Sequence, residues 1–138
     1  MPAPDPIPAI LAQTHTIAVV GFSSKPARAG YYVPDYLQSQ GYHIIPVNPH
    51  LSAALGQPAY PDLLAVPQAV DLVLIFRRSE EVGPVVDQAI TIGAKAVWMQ
   101  LGIVDGAAAA RARAAGLLVV MDACMLVEHR HWRAQSKP

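Results

Sequence analysis

The sequence has one cysteine, Cys124, and no second thiol to pair with it, which excludes an internal disulfide framework. It has no surplus of charge of either sign. Ten basic and ten acidic residues leave a formal net charge of zero, so the overall balance calls for no nucleic-acid or anionic membrane partner, and any basic patch must be local. No apolar run approaches the roughly 20 residues that span a bilayer. The opening MPAPDPIPAILAQ has neither the charged segment nor the long apolar core of a secretory signal, so a cytoplasmic location is expected. The dinucleotide fingerprint G-x-G-x-x-G is missing, because no glycine falls between Gly21 and Gly30, and so is the Walker pattern. No paired carboxylates, serine triad or other catalytic set is visible.

What is present is a regular alternation of apolar runs and helical segments. A chain of 138 residues fits one domain, and a domain of this size buries about 70% of the surface its unfolded chain exposes. Residues 1–14, with four prolines and a short apolar stretch, read as an N-terminal arm that is extended until a final helical turn. Residues 15–131 form the domain and 132–138 a C-terminal tail. Ile17 to Val20 and Val70 to Phe76 are apolar on both faces, as in central strands of a covered parallel sheet. Ile44, Ile45 and Val47 predict another strand, in which Pro46 points to an edge or irregular position. Residues 51–69 read as a connection with a brief edge strand near Ala59 and Tyr60. Ser79 has the chemistry of an N-cap for a helix over 80–92, ending at Gly93, whose Val82, Val85, Val86, Ala89 and Ile90 share a face. Val97 to Met99 predict a further strand. Asp105 caps an alanine-rich helix ending at Gly116, and LLVVMD supplies the last strand. The expected fold is α/β: a single Rossmann-like, doubly wound parallel sheet of five or six strands with helices on both faces.

The richest stretch is TIAVVGFSSKPARAGYYVP, residues 16–34. A strand ends at Gly21, whose lack of a Cβ opens backbone angles closed to other residues and lets a ligand approach the main chain. Phe22, Ser23 and Ser24 follow, the serines offering hydroxyl donors, and Lys25 and Arg28 add positive charge. A helix opening near Gly30 would aim free N–H groups at the same place, which makes the turn an anion cradle. Ligands of open α/β sheets sit beyond the carboxyl ends of the strands. Those ends carry Asn48, Pro49 and His50; Phe76, Arg77 and Arg78, placed to face the cradle; and Gln100. A nicotinamide enzyme would normally have an acid at the end of the second strand to hold the ribose diol, and the amide and imidazole here argue against one. An ordinary Asn-Pro turn accounts for the same residues equally well. In the tail, Cys124 and Glu128 share a helical face while His129 and His131 point elsewhere, which is poor geometry for a metal. Cys124 has no base fixed beside it by the sequence and reads as a small buried thiol.

Together, VVGFSSKPARAGYYVPDYL, IIPVNP, DLVLIFRRSEEV, GAKAVWMQLGI and VVMDACMLVEH, in this order, make the chain resemble small single-domain CoA-binding proteins. It is similar to the CoA-binding domain of the succinyl-CoA synthetase α subunit over nearly its whole length, from Thr16 to His131. The resemblance implies that coenzyme A or an acyl-CoA is held with its phosphates near Ser23, Ser24, Lys25 and Arg28. Asn48, Pro49, Phe76 to Arg78 and Gln100 would then surround the rest of the ligand. Many relatives have lysine after the Asn-Pro pair where this chain has His50, so a charged contact there depends on pH. The synthetase's phosphorylated histidine lies in a domain outside the resemblance, so none of the five histidines inherits that role and catalysis is not implied. The leading expectation is a non-catalytic binder of a small nucleotide ligand. The rivals are an NAD(P)- or other nucleotide-binding protein and an acyl-thioester enzyme using Cys124 or a histidine. Pairing with a second copy or with a partner enzyme stays open.

Overall fold

Five apolar runs become five parallel strands: β1 (Thr16–Val20), β2 (His43–Val47), β5 (Leu72–Ile75), β6 (Ala96–Met99) and β7 (Leu118–Val120). The computed structural model, which describes residues 4–136, orders them β2-β1-β5-β6-β7. The chain therefore winds outward from β1 in both directions, and the sheet is the expected Rossmann-like, doubly wound one with five strands. Two further short strands, β3 (Ala53–Ala54) and β4 (Gln57–Pro58), pair only with each other. They form a small hairpin where the sequence reads as a connection. Tyr60 makes an isolated parallel bridge to Val47.

Pro46 has no N–H to give to a sheet ladder, and β2 lies at the edge, paired with β1 alone. Strand alternation divides the core in two. Ile17 and Val19 belong with Ile44, Leu72, Leu74 and Trp98 on one face, covered by α1 (Ile7–Gln13), α2 (Ala29–Ser39) and α5 (Met125–Ser136). Ala18 and Val20 belong with Ile45, Val73, Ile75 and Val97 on the other, covered by α3 (Val82–Thr91) and α4 (Gly106–Ala114). In α4 the Asp105 carboxylate accepts from the Ala108 N–H at 3.0 Å, as its N-cap position predicts.

Three local expectations need revision. The arm contains two helical turns: proline is tolerated in the first turn of a helix, and Pro8 there leaves Ile10 and Leu11 free to enter the core. Ser79 does not cap α3. Its hydroxyl accepts from the Val104 N–H at 3.0 Å, and a 3₁₀ turn over Ser79–Glu81 precedes the helix. The predicted tail is the last part of α5 as far as Ser136. The outermost residues of arm and tail, 1–3 and 137–138, lie outside the described residues.

Candidate functional site

The order of the strands reverses between β1 and β5, and their carboxyl ends open there into a cleft of about 680 Å³. Gly21, Phe22, Ser23, Ser24, Lys25, Arg28, Ala29, Gly30, Asn48 and Phe76 line it. Its shape depends on two glycines. Gly21 has φ 85°, and a Cβ there would lie 3.1 Å from the carbonyl of Phe76 and 3.2 Å from Arg77 Cδ. Gly30 lies in the first turn of α2, where a Cβ would come within 3.0 Å of the Gly21 carbonyl oxygen and 3.3 Å of the Ser23 backbone nitrogen. The turn thus lies directly against the start of the helix.

Hydrogen bonds hold it in place. The Ser23 N–H donates to the Gly30 carbonyl at 3.1 Å. The Ser23 hydroxyl oxygen accepts from the Lys25 N–H at 3.1 Å, which leaves its proton free to donate into the cleft. The Arg28 N–H closes a turn through Pro26 onto the Lys25 carbonyl at 3.0 Å. Asn48 is a brace from the neighbouring strand. Its amide donates to the Phe22 carbonyl at 2.7 Å while its oxygen accepts from the His50 N–H at 2.7 Å. The Asn-Pro turn and the lining of the cleft are therefore one structure.

The electrostatics are one-sided. No aspartate or glutamate lines the cleft. Among the described residues the ion pairs join Glu80, Glu81, Asp71 and Asp87 to Arg77, Arg78, Lys95 and Arg111, and no carboxylate lies within ion-pair distance of Lys25 or Arg28. No side chain caps α2, so its first N–H groups, which have no partner within the helix, stay available at the same point. Such a place can accept an anion from backbone and side chain together.

Five of the expected contacts, Pro49, His50, Arg77, Arg78 and Gln100, do not line this cleft. Gln100 is 4% exposed, and its side-chain oxygen accepts from the Met125 N–H at 3.2 Å, so it anchors the start of α5. Arg78 points into solvent, where it pairs with Glu80 and Glu81. His50 is exposed and contributes its backbone N–H to the brace. Arg77 packs its stem behind Gly21 and pairs with Glu81 at 3.3 Å. With Pro49 it lines an adjoining groove of about 440 Å³, where Val20, Val47, Leu63 and Val85 give an apolar floor and Asp62, Glu80 and Glu81 are acids along its lining. Ala29, the first residue of α2, lines the cleft and escaped the sequence reading; its only signal is its place at the head of the helix.

A doubly wound parallel sheet with a polar, acid-free cleft at its switch point defines a Rossmann-like ligand-binding domain. Within that class the chain belongs to the CoA binding domain family, whose model matches residues 15–130. It is 38% identical over 128 residues to YneT, an uncharacterized protein of Bacillus subtilis strain 168, covering 93% of this chain and 95% of that one. A hypothetical protein from Pyrococcus horikoshii OT3 superposes with a TM-score of 0.89 at 35% identity, over 96% of this chain and 99% of the other. The dinucleotide-forming acetyl-coenzyme A synthetase 1 of Ca. Korarchaeum cryptofilum contains a similar unit: TM-score 0.66 and 29% identity, over 75% of this chain and 25% of the synthetase. Family membership supports binding of coenzyme A in general terms. Among the described residues no helix is long and apolar enough to cross a membrane.

Proposed function

We propose that this protein binds coenzyme A or an acyl-CoA without transforming it, gripping the phosphates in the turn from Gly21 to Gly30. The observation that carries this reading is the pair Lys25 and Arg28, cations with no carboxylate partner among the described residues at the edge of an acid-free cleft. Charge-assisted bonds to phosphate are about twice as strong as neutral ones. The Ser23 and Ser24 hydroxyls and the first N–H groups of α2 add neutral donors. The apolar floor of the adjoining groove, with Arg77 at its edge, accepts the adenine or pantetheine portion. Donors predominate in the cleft and apolar side chains in the groove, which suits binding.

Titration calorimetry with CoA and NADP side by side tests the ligand. Saturable CoA binding with markedly weaker NADP binding is expected, and the reverse order would overturn the reading. Incubation with acetyl-CoA tests the absence of turnover, with the thioester intact at the end as the expected result. Steady loss of it would establish an enzyme instead.

A further inference from the structure

At the opposite end of the sheet, ahead of β1 and β2, α1, the end of α2 and α5 enclose a second cleft of about 440 Å³. It is within the size range of small-molecule sites. Leu11, Tyr42 and Trp132 give it apolar walls, and among the described residues Arg133 is the one charged residue lining it. The guanidinium of Arg133 is held in place by the Gln40 side-chain oxygen at 2.7 Å, which leaves further N–H groups free.

His129 also lines this cleft, although the residue is only 2% exposed. Its Nδ1 lies 2.8 Å from the Tyr36 hydroxyl. Burial, reinforced by the Arg133 charge, holds the imidazole below its usual range and hence neutral at pH 7. Because a phenol is the stronger donor of two neutral groups, we assign the Tyr36 proton to the bond with Nδ1, which puts the ring's own proton on Nε2. That Nε2–H has no protein partner among the described residues. No solvent-sealed polar side-chain atom there lacks one, so Nε2 opens onto the cleft. The cleft therefore combines an unused deep donor, a fixed guanidinium, no opposing acid among the described residues and an aromatic wall.

We propose that this cleft is a second ligand site, taking a small organic carboxylate with an apolar body. The carboxylate accepts from His129 Nε2–H and the Arg133 guanidinium, and the body lies against Leu11, Tyr42 and Trp132. The site is separate from the Gly21 turn and does not depend on what that turn binds.

The probe is 3-phenylpropionate, with 3-phenylpropanol as its uncharged counterpart, followed by the indole N–H resonance of Trp132 in proton–nitrogen NMR spectra. Trp98, whose indole donates to the Ala123 carbonyl at 2.8 Å, is the internal reference. The expected result is a saturable Trp132 shift with Kd about 1 mM or tighter, reasonable for a ligand of this size. The alcohol should bind about tenfold more weakly, and Arg133→Gln should remove about that advantage while leaving CoA binding intact. Arg133 is on the surface, so this variant tests the site without entering the core. Equal binding of acid and alcohol, no saturable shift, or an acid affinity unchanged in Arg133→Gln would each overturn the proposal.

Discussion

The two ends of the central strand are built on opposite terms. At the carboxyl end of β1, Gly21 occupies a left-handed conformation, Lys25 and Arg28 have no carboxylate partner among the described residues, and the start of α2 is uncapped. At the amino end, apart from the donors left to the second cleft, the polar groups are joined to one another. One Asp71 carboxylate oxygen accepts from the Thr16 N–H at 2.9 Å and the His15 N–H at 3.0 Å, while Lys95 approaches the other at 3.5 Å. Tyr42 donates to the Leu11 carbonyl at 2.7 Å and Tyr36 pairs with His129. The difference shows where stability has been forgone and where it has been gathered. Donors left unpaired in the native state add nothing to folding but can be used by a ligand.

The largest expected effect is on binding at the open end. The Lys25→Ala, Arg28→Ala double variant should lose at least about 100-fold in CoA affinity, since each charge-assisted bond contributes roughly 1.5–3 kcal/mol. Its melting temperature should hardly move, because neither side chain supports the fold; calorimetry and a thermal melt decide it together. Gly30→Ala comes next. Ala is the better helix former, but its Cβ would meet backbone at 3.0 Å. A net destabilisation of about 1–2 kcal/mol is expected in urea unfolding, with weakened CoA binding as the turn shifts. Greater stability with full affinity would show that the close approach is dispensable.

At the paired end the effects are on pH dependence. His129 has its folded-state pKa lowered, first by burial and then by Arg133. Its contribution is fully present above the unfolded value of about 6.5 and is lost as pH falls toward the lowered folded one. His129→Phe should flatten the stability profile across that window and cost about 1 kcal/mol at pH 7.5, because the Tyr36 hydroxyl loses its partner. Denaturant unfolding at several pH values measures both. The smallest change is expected for Asp71→Asn. Burial alone would raise the Asp71 carboxyl, but the Thr16 and His15 N–H groups and Lys95 outweigh it and hold the group below the usual carboxylate range. Its stabilisation is present above about pH 3.9 and declines as pH falls through the lowered value. The variant should lose under about 1 kcal/mol at pH 7 and show a shallower acid limb in the same titration.

Much of this division is written locally. The runs at β1 and β5, apolar on both faces, mark the covered centre of a parallel sheet, and Pro46 marks its edge because proline cannot donate to a ladder. Gly21 to Gly30 is legible because glycine, hydroxyls and bases crowd one turn. Other placements depend on partners far along the chain. Gln100 resembles a ligand contact by its position at a strand end, yet an N–H 25 residues away claims its oxygen. Ser79 has the composition of a cap and instead serves Val104. Arg77 and Arg78 are neighbours at the end of β5, where successive side chains diverge, so one packs behind the turn and the other enters solvent. His129 carries no pattern at all in the sequence. Trp132 is its neighbour one turn along α5, but only the folded chain brings Tyr36 and Tyr42 to its ring.

From the order of residues alone came the alternation of strand and helix, the covered sheet and the donor-rich turn between Gly21 and Gly30. Each of these is governed by short-range properties: side-chain periodicity, backbone freedom at glycine and the chemistry of consecutive donors. Packing decided which polar groups stay available. A donor is free or spent according to which distant acceptor the fold brings within hydrogen-bond distance, and that is a property of the assembled molecule.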